Sequence, residues 1–140
     1  MIKVIQLEED HVKTLINGNL SPNVKIEDLM QAYQSKGSLA YTLMIDDKPI
    51  VCGGIVNMNW RRGEAWLLSS SEFLKHKKTS WRILKQLFPY LAKQGGFRRI
   101  QSTSKIESSF LEHLGFKYEA KLEAFDPDGN DVFLYKRIFK

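Results

Sequence analysis

The sequence predicts an α/β (α+β) fold, a mixed central sheet of about six or seven strands flanked by helices, in the order βααβββαβαββ. Three observations predict it. Turn signals join β-rich runs in the first half, which calls for antiparallel pairing. Helical periodicity separates β-rich runs in the second half, which calls for locally parallel pairing. The 140 residues hold no repeat, low-complexity segment or long linker, so residues 1–140 are expected to form one domain.

Residues 2–7 alternate like a strand. Glu8–Asn17 reads as a helix, with Val12, Leu15 and Ile16 on one face and Gly18 as its stop. Ile26–Ser35 is a second helix, with Ile26, Leu29, Met30 and Tyr33 at helical spacing and Gly37 after it. Leu39–Ile45 and Ile50–Asn57 are strands joined by a turn at Asp46-Asp47-Lys48-Pro49. Gly53-Gly54 inside the second of them predicts a bulge or a close backbone approach. Trp60–Gly63 is a turn and Glu64–Ser70 a strand. A helix over Ser80–Lys93 takes Thr79 or Ser80 as N-cap, and Pro89 should kink or shorten it. Arg98–Ser104 is a strand. Glu107–Leu114 is a helix with Ile106, Phe110 and Leu114 four apart. Lys117–Phe125 and Val132–Phe139 are strands joined through Asp126–Asp131, where Gly129 allows a tight turn.

Composition narrows the class. Hydrophobic residues at 43% and charged residues at 26% fit an ordinary globular protein, and the aromatic content argues against disorder. No apolar run is long enough to span a membrane, and the N-terminus lacks a signal-peptide layout. The single Cys52 excludes an internal disulfide and a multi-cysteine metal site. A cytoplasmic protein without metal or membrane association is the expectation. A net charge of +5 favours anionic partners. Much of that charge clusters in "SSSEFLKHKKTSWR" (Ser69–Arg82) and at Arg98-Arg99. A solvated cationic face is the simplest reading of such runs. No zinc-finger spacing, basic zipper or RNA-binding signature is present.

The element order and three local patterns resemble the GNAT superfamily of acyl-CoA-dependent N-acyltransferases. "YTLMIDDKPIVCGGIV" (Tyr41–Val56) looks like the family's second and third strands. "GEAWLLSSSEFLKHKKTSWRILKQL" (Gly63–Leu87) looks like its fourth strand, pyrophosphate loop and following helix. "SSFLEHLGFKYEAKLEAFDPDGNDVFLYKR" (Ser108–Arg137) looks like its C-terminal finish. The family's loop motif is Arg/Gln-x-x-Gly-x-Gly/Ala. Counted without gaps, Lys75 falls on the Arg/Gln position, Lys78 on the first Gly and Ser80 on the last small residue. Lys78 lacks glycine's conformational freedom but offers an ammonium to phosphate.

The resemblance implies acetyl-CoA or another acyl-CoA as cosubstrate. Lys75, His76, Lys77, Lys78, Thr79, Ser80 and Arg82 would surround its pyrophosphate at a helix N-terminus. Strands Glu64–Ser70 and Arg98–Ser104 would splay apart, with backbone groups of Leu68 and Ser70 facing the thioester arm. The acceptor would be a primary amine, on a small molecule or a protein, attacking the thioester directly. A homodimer is an open alternative.

Amine acylation needs a base, an oxyanion donor and a means of releasing the thiolate. Glu64 is where many members place the base, acting directly or through a water. The competing reading is a strand-end glutamate paired with Arg61 or Arg62. The family's usual tyrosine acid is replaced by Leu111, and its usual asparagine by Ser104. His76 reads as a phosphate neighbour or an exposed residue, His113 as solvent-facing, and His11 as remote from the cleft. Cys52 reads as a core residue. Trp60 and Trp66 read as packing residues, with an acceptor-site role open for Trp60. Two other functions compete. One is a GNAT fold without catalysis, similar to chains carried by bacteriophages. The other is a nucleic-acid-associated modifying enzyme, resting only on the basic clusters.

Overall fold

Residues 1–16 and 25–140 are described by a computed structural model of the chain. β-branched and aromatic runs make seven strands, β1 (Ile2–Gln6), β2 (Leu39–Ile45), β3 (Lys48–Asn57), β4 (Arg62–Ser69), β5 (Arg99–Ser104), β6 (Lys117–Leu122) and β7 (Val132–Ile138). The helices are α1 (Glu9–Ile16), α2 (Ile26–Tyr33), α3 (Glu72–Lys75), α4 (Lys77–Gln94) and α5 (Ser109–His113). One sheet carries all seven strands in the order β1-β2-β3-β4-β5-β7-β6. Its pairings are antiparallel except β4 with β5, the pair linked through α4. The expected mixed sheet and element order are therefore present, with α3 added. The expected helix stop at Gly18 lies outside the described residues.

Alternation along the strands sorts side chains to two faces. On one face α1 and α2 pack Val12, Leu15, Ile16 and Met30 against Cys52, with Trp66 and Leu68 beside them. On the other, Leu91 and Ala92 of α4 and Leu111 of α5 pack against Ile55, Ile100 and Tyr135. Cys52 is a core residue as expected, and burial pushes its thiol up to about 12. His11 is buried structure too. Its Nδ1 accepts from the Glu8 amide at 3.1 Å and lies 2.8 Å from Thr42 Oγ1.

Several boundaries differ from the sequence expectation. The β2–β3 turn is only Asp46-Asp47, both at positive φ (50° and 63°), the geometry of a two-residue hairpin. Pro49 therefore sits in β3, opposite Met44 at a register shift where the ladder is already irregular. Gly53-Gly54 forms no bulge; it is a close approach. A Cβ on Gly54 would collide with the Leu39 carbonyl oxygen. Strands β6 and β7 are shorter than expected. Ile106 is exposed, and α5 starts at Ser109, capped by Ser108 Oγ accepting from the Leu111 amide. Helix α4 runs through Pro89 to Gln94.

The far edge is held by charge. Glu119 sits at the β6 register shift and takes Arg99 of β5 through two bonds (2.7 and 3.1 Å) and Lys136 of β7 at 3.0 Å. These bonds lower its carboxyl to about 2. A depressed carboxylate stabilises the fold above its ordinary value of 4.5, and that contribution is lost as pH falls through about 2. Glu119→Gln should cost about 1 kcal/mol at pH 7 by urea unfolding. The difference from wild type should shrink steadily as the titration is repeated at lower pH.

Candidate active site

Parallel pairing of β4 with β5 lasts three rungs, Arg62 with Arg99, Gly63 with Ile100 and Glu64 with Gln101. Beyond them a single side-chain bond, Ser102 Oγ donating to the Ala65 carbonyl at 3.0 Å, spans the strands. They then part, leaving main-chain edges of both without a strand partner. An apolar cavity of about 100 Å³ opens there, lined by Tyr41, Ala65, Leu84, Leu87, Ser102 and Leu111 among others. The cavity explains why Leu84, Leu87 and Phe88 of α4 are only half-buried despite their apolar spacing.

Glu64 holds the last rung. It is half-buried, and among the described residues it makes no ion pair. The expected pairing with Arg61 or Arg62 does not form, for a backbone reason. Asn59, Trp60 and Arg61 take positive φ in succession (70°, 56° and 61°), a left-handed turn that carries Arg61 out of the strand and sets the Trp60 ring against Arg62. Arg61 Nε donates to the Gly96 carbonyl at 3.0 Å, and the Arg62 guanidinium lies 5.1 Å over the Trp60 ring. Burial without a countercharge raises the Glu64 carboxyl above its ordinary 4.5.

Trp66 follows on the same face of β4, stacked on Tyr33 of α2 at 3.6 Å and 8°. Burial, Cys52 and Glu64 push the Tyr33 phenol up to about 12. Trp66 is packed as expected. Trp60 is not, being 85% exposed at the hairpin tip, because the left-handed turn lifts it off the sheet.

The basic segment after β4 is helical rather than an open loop. Ser70 donates its amide and hydroxyl to the Ile50 carbonyl, and its own carbonyl accepts from the Phe73 amide at 3.0 Å. Its backbone groups are thus engaged locally, whereas Leu68 lies past the last rung with no β5 partner facing it. Lys75 is tied to Glu72 at 3.0 Å. Helix α4 begins at Lys77, three residues before the expected start. His76 takes the N-cap position without a side-chain bond. Thr79 and Ser80 are therefore first-turn residues, not caps, because α3 delivers the chain already coiled.

Ser80 is fully buried, and its Oγ has no hydrogen-bond partner among the described residues. Helix geometry leaves the amides of Lys77, Lys78 and Thr79 without acceptors inside the helix. Lys77, Lys78 and Arg82 are exposed and make no ion pair among the described residues. The first turn of α4 holds no acidic residue. Two lysines at the positive end of a helix dipole oppose it, an arrangement that a bound anion relieves. Beside them a groove of about 520 Å³ is lined by Phe73, Lys77, Lys78, Trp81, Phe110 and His113. Trp81 meets Phe110 at 5.0 Å and His113 at 5.7 Å, both edge-on. In sequence Trp81 opens the helical apolar spacing of Leu84, Leu87, Phe88 and Leu91, which reads as packing, and nothing there marks it as a groove wall.

No family model and no curated protein sequence matches the chain. Solved structures do match it. Ard1 from Thermoplasma volcanium aligns with a TM-score of 0.80 at 10% identity, over 99% of this chain and 98% of that one. The F149G mutant of spermidine N-acetyltransferase SpeG from Vibrio cholerae gives 0.72 at 15%, over 98% and 93%. A GNAT-family acetyltransferase from Streptococcus pneumoniae gives 0.71 at 16%, over the full length of both chains. Such identities speak for the fold and leave substrates open. By its strand order, the single parallel pair among the described residues, the parting of that pair and these alignments, the chain has the GNAT acetyltransferase fold.

Proposed function

We propose that the protein is an acyl-CoA-dependent N-acyltransferase in which Glu64 is the base. The observation that carries this reading is the parting of β4 and β5 directly after the Glu64 rung. A thioester arm lying in that gap would bring its carbonyl beside a carboxylate that makes no ion pair among the described residues. Glu64 takes a proton from the acceptor ammonium, directly or through a water. The amine nitrogen then attacks the carbonyl carbon, a C–N bond forms, the C–S bond breaks to release thiolate, and the surplus proton on the new amide nitrogen passes to solvent or to the departing thiolate. With Leu111 in place of a tyrosine acid, the thiolate leaves without a dedicated proton donor from α5.

Lys77, Lys78 and Arg82, with the first amides of α4, would hold the diphosphate, and Thr79 and His76 line the same turn. Ser80 supports them from the buried side, and Lys75 contributes less, being paired with Glu72. The aromatic groove of Phe73, Trp81 and Phe110 suits a nucleobase. Acetyl-CoA titrated by calorimetry should bind with micromolar to submillimolar affinity. No heat at millimolar ligand would favour the fold without catalysis, the reading that Lys78 and Leu111 motivate. DNA binding that weakens steeply with salt, without acetyl-CoA binding, would favour the nucleic-acid reading.

A further inference from the structure

This inference rests on Glu64 acting beside the cleft. Side chains alternate along β4, so Arg62, Glu64 and Trp66 share the face turned toward α1 and α2. Buried polar atoms normally find partners. Among the described residues, the buried side-chain polar atoms without one are Arg62 Nε, Trp66 Nε1 and Ser80 Oγ. The first two belong to residues that flank Glu64 on its own face, two positions before and two after it, with Cα atoms about 7 Å from that of Glu64 along the strand. Both are donors only, so both call for an oxygen rather than a second donor. Trp66 lies past the last rung, on the thioester side. Arg62 lies on the other side, away from it.

Arg62 is the informative group. Among the described residues it makes no ion pair, and its guanidinium makes one hydrogen bond, a long one, Nη2 to the Met58 carbonyl at 3.5 Å. The Trp60 ring over its guanidinium does not neutralise it. A cation and a carboxylate thus stand two residues apart on one strand face, neither paired with the other. Such a pair is complementary to a zwitterion.

We infer that the acceptor is an amino carboxylate of the free α-amino-acid type. Its ammonium lies against Glu64 and its carboxylate against Arg62, which offers the planar donors that a carboxylate accepts. A polyamine supplies donors only and repels Arg62. A simple alkylamine leaves Arg62 unmatched, and a peptide N-terminus offers it only a neutral carbonyl.

The test is calorimetry on the intact chain, with and without coenzyme A. The ligands are each of the common α-amino acids, the matching decarboxylated amines, spermidine and a dipeptide amide. At least one amino acid should bind about tenfold more tightly than its amine, spermidine and the dipeptide amide. Arg62→Gln should abolish that margin and Arg62→Lys should retain part of it. Both variants should keep the wild-type thermal midpoint and coenzyme A affinity. The inference is overturned if the amines or the dipeptide amide bind as well, if no amino acid binds at about 10 mM, or if Arg62→Gln keeps the margin. Absence of coenzyme A binding would count against the acyltransferase reading; coenzyme A binding without amino-acid preference would remove the acceptor alone.

Discussion

Glu64→Gln should lower kcat for amine acylation by about 10²–10⁴-fold, the range typical of a lost general base. Acetyl-CoA affinity should barely change, because Glu64 lies on the face of β4 turned toward α1 and α2, while α4 with its cationic turn packs on the other. The pH profile carries the sharper test. Only ionised Glu64 can accept a proton, and burial raises its carboxyl above the ordinary 4.5. Wild-type activity should therefore fall on the acid side with a midpoint above 4.5, and the residual activity of the Gln variant should lack that limb.

Stability moves the other way, which separates catalysis from folding. A carboxyl raised in the folded state favours the fold while protonated, and that contribution is lost as pH rises through the raised value. Once ionised, Glu64 is a half-buried carboxylate that makes no ion pair among the described residues. Gln in its place should leave the urea midpoint equal or higher. Loss of activity with a lowered midpoint would point to a structural residue, and unchanged activity would remove Glu64 as the base.

What the sequence disclosed follows from which forces act locally. Hairpins were readable because alternation and turn residues are properties of neighbours, as at Asp46-Asp47 between β2 and β3. The parting of β4 from β5 came from family resemblance alone, since no property of residues 65–70 dictates it. Helix α3 escaped notice because four residues give too short a period to register. Its presence then displaced the expected cap from Ser80. The isolation of Glu64 was equally hidden. Two arginines precede it by two and three positions, and charge counting pairs them. Only the left-handed run at residues 59–61, unpredictable for Trp and Arg, carries Arg61 off the strand and gives the Arg62 guanidinium the Trp60 ring instead.

The cationic turn gives the second large effect. Lys78→Glu should weaken acetyl-CoA binding roughly 30- to 150-fold. At about 4 Å a charge pair is worth about 1 kcal/mol in water and about 4 kcal/mol at an effective dielectric of 20. Lys78 is exposed, so the lower part of that range applies, and reversal both removes an attraction and adds a repulsion. The sum is about 2–3 kcal/mol, at about 1.4 kcal/mol per decade. Raising salt should weaken wild-type binding and narrow the gap between the two proteins. Lys93→Glu, at the opposite end of α4, is the control for net charge and should leave the affinity near wild type. Lys78→Gly then separates charge from backbone. It restores the glycine of the family motif, and if close backbone approach limits binding, affinity should rise. In this chain position 78 already lies in a helical turn, where glycine's freedom has no use and costs about 1 kcal/mol of helix stability. Lys78→Gly should therefore weaken binding, by about tenfold, and a gain in affinity would show that the ammonium is not the grip.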